Sequence, residues 1–319
     1  MSQLSLLLGN KGIKTELQQL LAENRLGHAL LMTAPKGCGL SFAAHCLAAD
    51  FLFPQGGPAT EAVLRDESSE VLLLQGEGKS GQISVESVRG VRSSIYQSAL
   101  SSAGRVVLVL DAHRMAPPAY NALLKVLEEP PEGVLFILCG PDASTIPLTI
   151  RSRCTWLPVS PLPIQECEQV LLQRFSSVPA DKARLLAVAY AGRLGLCLSA
   201  LQDEACMAVL QDALDLMREA AAASGYQVLR ILSAYEGRAD GDREKREVLL
   251  ETLCDCLSVS MREGRAPGFP VILAADAARL LPYVQQTIVA LRGNVSPKIA
   301  FTSLAVYLLR TARLHRLAG

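Results

Sequence analysis

Two stretches of this sequence carry residues whose types and spacing bear on phosphate chemistry. Residues 30–41 read Leu-Leu-Met-Thr-Ala-Pro-Lys-Gly-Cys-Gly-Leu-Ser. A working phosphate-binding loop reads G-x-x-x-x-G-K-[ST], in which glycines let backbone N–H groups approach the phosphates, the lysine neutralises their charge, and the hydroxyl holds Mg²⁺. Here Ala34 stands where the first glycine belongs and Leu40 where the lysine belongs, while Gly37, Gly39 and Ser41 keep the turn. Lys36 lies too early in the loop to stand in for that lysine. The second stretch, residues 105–111, is a β-branched and apolar run closed by Asp111. An acid at the end of a buried parallel strand lies where ligands gather in an open α/β sheet.

The elements that position these residues follow from periodicity. Residues 12–26 show helical spacing of apolar positions, and residues 29–33 form a buried strand leading into the loop, with a helix after it. His28, at the turn before that strand, reads as a packing residue. Residues 51–69 read as loop. Strands are expected at 70–74, 105–111 and 134–139. Residues 75–81 should connect the first of these to a helix over 85–98, which Ser84 is placed to cap; a further helix should span 121–129 and stop at Pro130-Pro131. Residues 147–153 turn away from the last strand.

Strands alternating with helices make residues 1–160 a doubly wound parallel-sheet α/β domain. Beyond Pro161 helical periodicity takes over, at roughly 164–175, 180–190, 194–223, 225–236, 242–263, 270–292 and 297–316, with loops at 237–242 and 263–268. A small helical segment over 161–205 and a larger helical domain over 206–319 are expected. In the last helix Ile299, Ala300, Leu304, Tyr307, Leu308 and Ala312 recur at helical spacing after Ser296-Pro297.

Composition narrows the function classes. Across 319 residues, 31 Lys+Arg balance 31 Asp+Glu, so no global field marks a nucleic-acid or membrane binder. Residues 226–319 hold 13 basic against 9 acidic residues, too small an excess for a phosphate-tracking surface. The nine cysteines include no C-x-x-C pair, and Cys254-x-Cys256 falls in a helix where its side chains diverge. No metal is expected. Without a leader pattern or a membrane-length apolar run, the expected compartment is the cytoplasm, with reduced thiols.

The broken loop, Asp111-Ala112-His113-Arg114-Met115, the run Asn121-Ala122-Leu123-Leu124-Lys125-Val126-Leu127-Glu128-Glu129-Pro130-Pro131 and Thr149-Ile150-Arg151-Ser152-Arg153-Cys154 together resemble bacterial clamp-loader AAA+ subunits. The resemblance implies a P-loop NTPase-like AAA+ domain at 1–160, a helical lid at 161–205 and an all-α collar at 206–319 that serves oligomerisation. It also implies work within the DNA polymerase III holoenzyme, in a hetero-oligomeric ring with motor and delta subunits that loads a sliding clamp onto primed DNA.

Active members of that family carry a phosphate-loop lysine, an acidic pair ending the Walker B strand, a polar sensor after the next strand and an arginine in the lid. Here Leu40 replaces the lysine, Ala112 replaces the glutamate, Gly140-Pro141 falls at the sensor and Gly195 at the lid arginine, with Arg193 out of register. Phosphoryl transfer depends almost wholly on such groups acting together, so no intrinsic ATPase and no cofactor are expected. By the same resemblance Arg153 is the candidate arginine finger toward a neighbouring subunit's ATP. Arg151 is the competing arginine; on an extended segment it would point the other way. Pairing of Arg153 with a local carboxylate is the structural alternative. Lys125 is a candidate DNA contact or simply a solvated charge. The family's zinc ribbon is missing, because residues 47–70 contain no cysteine. A non-hydrolysing stator subunit is the leading expectation; the alternative is a divergent motor subunit in which Lys36 or a rearranged loop still binds ATP.

Overall fold

The computed structural model describes residues 2–76, 81–95, 104–237, 240–262 and 266–318. The chain divides into two compact units, Met1–Leu162 and Pro163–Gly319.

The first unit is built on five parallel strands: β1 (Ala29–Thr33), β2 (Val71–Leu74), β3 (Arg105–Val109), β4 (Val134–Gly140) and β5 (Thr155–Pro158), in the order β2-β3-β4-β1-β5. The three central strands are buried at every position, as their mainly apolar runs dictate, with Arg105 and Thr33 as the polar residues at the ends of β3 and β1. Successive residues feed opposite faces. Leu30, Met32, Val106, Leu108, Leu135 and Ile137 enter a core shared with α1 (Lys11–Ala22), α2 (Leu40–Leu52) and α3 (Pro58–Leu64). Leu31, Val107, Val109, Phe136 and Leu138 enter the other core, beneath α4 (Val85–Ile95) and α5 (Pro117–Glu128). The sheet is therefore covered on both sides, as a doubly wound domain requires.

Several expectations need correction. The stretch read as loop over 51–69 contains α3: Gly57 adopts φ 113 and Pro58 opens the helix, with Val63 wholly buried, so the Gly-Pro cluster is a helix start. β5 escaped sequence reading because only Leu157 of its four residues points inward. Residues 147–153, read as extended, include a helical turn, α6 (Leu148–Arg151), entered from Pro147 and anchored by fully buried Ile150. α5 begins four residues earlier than expected, at Pro117, because its prolines sit in the first turn. Ser84 Oγ accepts from Ser87 N at 3.1 Å, capping α4 as expected. The expected end of that helix at 96–98, part of the 75–81 connection, and parts of the loops at 237–242 and 263–268 lie outside the described residues.

Buried polar groups fix the flanks of this unit. Asp50 on α2 accepts from Ser2 Oγ at 2.6 Å, Gln3 N at 2.6 Å and Leu4 N at 2.9 Å, tying down the amino-terminal turn. His45, one turn earlier, contacts Ser41 O through Nδ1 at 2.7 Å and Asp66 Oδ1 through Nε2 at 2.5 Å.

The second unit is helical: α7 (Ile164–Arg174), α8 (Ala180–Ala189), α9 (Leu194–Gln202), α10 (Glu204–Ala221), α11 (Gly225–Ser233), α12 (Asp240–Ser260), α13 (Ala274–Arg292) and α14 (Pro297–Ala318). The helix expected over 194–223 breaks at Asp203, which is extended and accepts from Ala205 N at 2.8 Å, capping α10. α12 starts inside the expected 237–242 loop, and α13 starts later than expected because Leu273 is extended. Leu210, Leu214, Leu250, Leu253, Leu257, Phe301, Leu304 and Leu308 fill the interior. On α14 the expected stripe holds for Ala300, Leu304 and Leu308, but Ile299 is 66% exposed, one position off the buried face. Tyr307 stacks on Tyr283 with centroids 3.7 Å apart. The side chain of Ala312 lies outside the described residues. Among the described residues no helix is long and apolar enough to cross a membrane.

Candidate functional site

The carboxyl ends of β1, β3 and β4 bring the chemistry-bearing residues to one edge of the sheet. Leu31, Leu138 and Val109 are in register across the three strands, so the chain segments after them leave the sheet side by side. From β1 the chain enters the loop: Ala34 N donates to Gly140 O at 3.1 Å, Gly37 and Gly39 take φ values of 88° and 75°, and α2 begins at Leu40. A Cβ on Gly39 would meet nothing within 4 Å, so what demands glycine there is the left-handed backbone. Gly37, Gly39 and Ser41 thus shape a strand–loop–helix turn. Leu40 turns its side chain onto the apolar cluster that buries α2.

Asp111 follows β3 in a left-handed conformation, φ 54 and ψ 44, exposed at the same edge. Beside it Ala112 is fully buried, and its carbonyl accepts from the hydroxyl of Tyr120 at 2.7 Å. Cys139, near the end of β4, has its thiol pushed up to about 12 by burial and by the charge of Asp111. Burial also lowers the pKa of His113, with Asp111 acting in the opposite sense. The edge therefore offers backbone N–H groups, one hydroxyl and one carboxylate. No lysine or arginine of this chain is placed in the loop at the position of Leu40, and Lys36 is exposed on the preceding turn. Among the described residues no cluster of His, Cys, Asp and Glu could hold a metal ion. Cys254 and Cys256 belong to α12, and burial raises both thiols, that of Cys254 to about 12.

Arg151, the last residue of α6, and Arg153, just beyond it, separate, though on a helical turn and its exit and not on an extended segment. Arg151 Nη1 donates to Ala143 O at 3.2 Å, beside Asp142. Arg153 donates from Nη1 to Thr149 O at 2.8 Å and to Ser152 Oγ at 3.3 Å, and from Nη2 to Glu128 Oε1 at 2.7 Å. The structural alternative for Arg153, a local carboxylate, is present in this chain: Glu128 supplies it from the last turn of α5. A partner twenty-five residues away leaves no spacing signal in the sequence, so the part of Glu128 emerges only in the fold. Lys125, on the same helix, is exposed.

Gly195 and Arg193 lie in the second unit. Gly195 is inside α9, and Arg193, 9% exposed, donates from Nε to Tyr190 O at 2.9 Å and pairs through Nη2 with Asp255 of α12. His28 Nε2 meets Leu127 O at 3.1 Å, a packing contact as read from the sequence.

Residues 9–163 match the family model described as DNA polymerase III, delta subunit. Among curated proteins, DNA polymerase III subunit gamma of Buchnera aphidicola is 31% identical over 194 residues, covering 58% of this chain and 53% of that protein. DNA polymerase III subunit tau of Escherichia coli K12 is 28% identical over 274 residues, covering 82% of this chain and 40% of that protein. The chain thus spans about half or less of the length of these relatives. Among solved structures, a DNA polymerase III gamma subunit-related protein of Thermotoga maritima superposes with a TM-score of 0.53 at 16% identity, over 94% of this chain and 99% of that one, a likeness of fold. The strand order, the loop between β1 and α2, and the matched span agree: residues 9–163 of this chain belong to the bacterial clamp-loader AAA+ family.

Proposed function

We propose that this chain is a non-hydrolysing subunit of the DNA polymerase III clamp loader, similar to the delta prime subunit. It works in the cytoplasm as a stator in a hetero-oligomeric ring with motor and delta subunits, and through the ring acts on the sliding clamp and primed DNA. The observation that carries this reading is the packing of Leu40. The position that would supply the loop's cation is instead a core contact, while Ala112 is buried without a carboxylate and Gly140 offers no hydroxyl. A γ-phosphate here would meet backbone N–H groups, Ser41 and the like charge of Asp111. Since the groups that stabilise phosphoryl transfer act as a unit, hydrolysis in cis is lost, not merely slowed.

In this reading Arg153 is the arginine finger presented to a neighbour's ATP, residues 161–205 form the lid, and residues 206–319 form the collar. Arg193, committed to Asp255 and Tyr190, takes no part in sensing nucleotide. Lys125 is a solvated charge with no assigned contact. The test is reconstitution with motor and delta subunits: Arg153→Ala should assemble normally yet lower clamp- and DNA-stimulated ATP hydrolysis, partially, because other sites in the ring keep their own fingers. Full activity of the assembled Arg153→Ala complex would refute the finger.

The curated relatives carry gamma and tau names, which favours a second reading, a divergent motor subunit that still binds ATP. Titration of the isolated chain with ATP separates the two: saturable, Mg²⁺-dependent binding supports the motor reading.

A further inference from the structure

The Arg153–Glu128 ion pair has the features of a clasp. Both partners sit at the surface, with side chains 37% and 51% exposed, and the Nη2–Oε1 distance is 2.7 Å. Pairs this exposed add little to folding, so the contact is poorly explained as a structural anchor. The guanidinium is nonetheless held at three points. Thr149 O and Ser152 Oγ engage Nη1, and Glu128 engages Nη2. That leaves the Nε proton and one Nη2 proton for an incoming oxygen.

The location of Glu128 gives the clasp its strength. It is the last residue of α5, and Glu129 caps the helix end. Unpaired carbonyls at a helix carboxyl terminus carry partial negative charge, which disfavours a carboxylate and favours a cation beside it. One carboxylate at the helix end therefore holds the guanidinium, and Lys125 is the basic residue of that turn. A more highly charged anion, such as a nucleoside triphosphate, can compete with Glu128 for the guanidinium.

Resting on the proposal that Arg153 serves a neighbour's ATP, we propose that Glu128 is a positioning residue that withholds Arg153 in the idle ring and releases it only when the neighbour's triphosphate is brought close. Glu128→Gln keeps an acceptor oxygen and removes the charge. In the reconstituted complex it should raise basal ATP hydrolysis, without clamp or DNA, by about two- to fivefold, the factor that corresponds to an exposed ion pair. The rate with saturating clamp and DNA should change far less, because the clasp is already open there. In an Arg153→Ala background, Glu128→Gln should have no effect on basal hydrolysis. Thermal melting of both variants checks that folding is unaltered. An unchanged or lower basal rate for Glu128→Gln overturns the clasp, as does an equal change with and without Arg153. Failure of the finger itself shows separately, as an Arg153→Ala complex that retains full stimulated activity.

Discussion

Arg193→Ala separates a structural arginine from a nucleotide sensor. Arg193 lies two residues from the position where related ATPases place a sensing arginine, yet it is turned inward, its side chain 11% exposed, toward an Asp255 side chain 30% exposed. Truncation removes the Nη2 partner of Asp255 and leaves the carbonyl of Tyr190 without its Nε donor. Breaking a fully buried pair costs about 3–5 kcal/mol, and an exposed pair under about 1. Discounting for solvent at Asp255 gives about 2–3 kcal/mol here. The sequence contains one tryptophan, Trp156, and it lies in the first unit. Tryptophan fluorescence therefore follows the first unit during urea unfolding, while far-ultraviolet circular dichroism is dominated by the helices of the second. The prediction is a lower midpoint by circular dichroism with the fluorescence transition unmoved. Arg193→Lys should recover less than half of the loss, since an ammonium cannot make both contacts in the same geometry. Removing both charges with Arg193→Met and Asp255→Leu should recover most of it. A loss below about 0.5 kcal/mol, within the range of ordinary surface substitutions, would refute the anchoring role, and more so if ATP-dependent behaviour of the ring changed instead.

Leu40→Lys alone should not produce ATP hydrolysis by the isolated chain, because Ala112 and Gly140 still lack their groups, and it should cost about 1–2 kcal/mol of apolar burial by urea unfolding; steady-state turnover in this variant would count against the lost-unit argument. Asp50→Ala removes the acceptor of three hydrogen bonds and should destabilise the first unit by about 2–4 kcal/mol, read from the fluorescence transition. Burial raises the thiols of Cys46, Cys139 and Cys254 to about 12 and that of Cys154 to about 11. A raised pKa means less thiolate, so iodoacetamide at pH 8 should leave these four unmodified in native protein and label them after unfolding, and rapid native labelling would contradict the packing. Ile299→Asp, at an exposed position of α14, should leave the melting temperature of the isolated chain within about 1–2 °C while reducing incorporation into the ring, the expected signature of a collar contact.

What the sequence made legible was periodic. The strands β1, β3 and β4 are mainly apolar runs, and the loop after β1 keeps the two glycines its backbone needs, so the central strands and the edge of the site could be read directly. What it hid was context. β5 has one inward residue, too few for any pattern, and only pairing with β1 makes it a strand. α3 was hidden because Gly57 and Pro58 signal a turn and a helix start with the same letters. The side chain of Ile299 fits the apolar spacing of α14 but falls just outside its buried arc. At the site, Arg153 could be found from its neighbours in sequence, whereas the carboxylate that pairs with it comes from a different helix and could not.

The geometry of the loop also explains how such a chain can lose its cation and keep its fold. Everything that shapes the segment between β1 and α2 is backbone or core: the Ala34 N–Gly140 O bond, the left-handed glycines, and a helix whose residues from Ala43 to Asp50 are all buried. A lysine at position 40 would add nothing to these contacts; without a phosphate it would hold an ammonium above backbone N–H groups of like partial charge. Leucine replaces that repulsion with apolar contact. The exchange therefore leaves the strand–loop–helix turn in place. Arg153 follows α6, which is anchored by Ile150, so under the proposed finger role its placement does not depend on the residue at position 40. If that independence is correct, Gly39→Ala, which strains a φ of 75°, should destabilise the first unit by about 1–2 kcal/mol yet leave Arg153-dependent hydrolysis by the assembled ring unchanged. A matching loss of stimulated hydrolysis, with the ring intact, would mean that loop and finger are coupled.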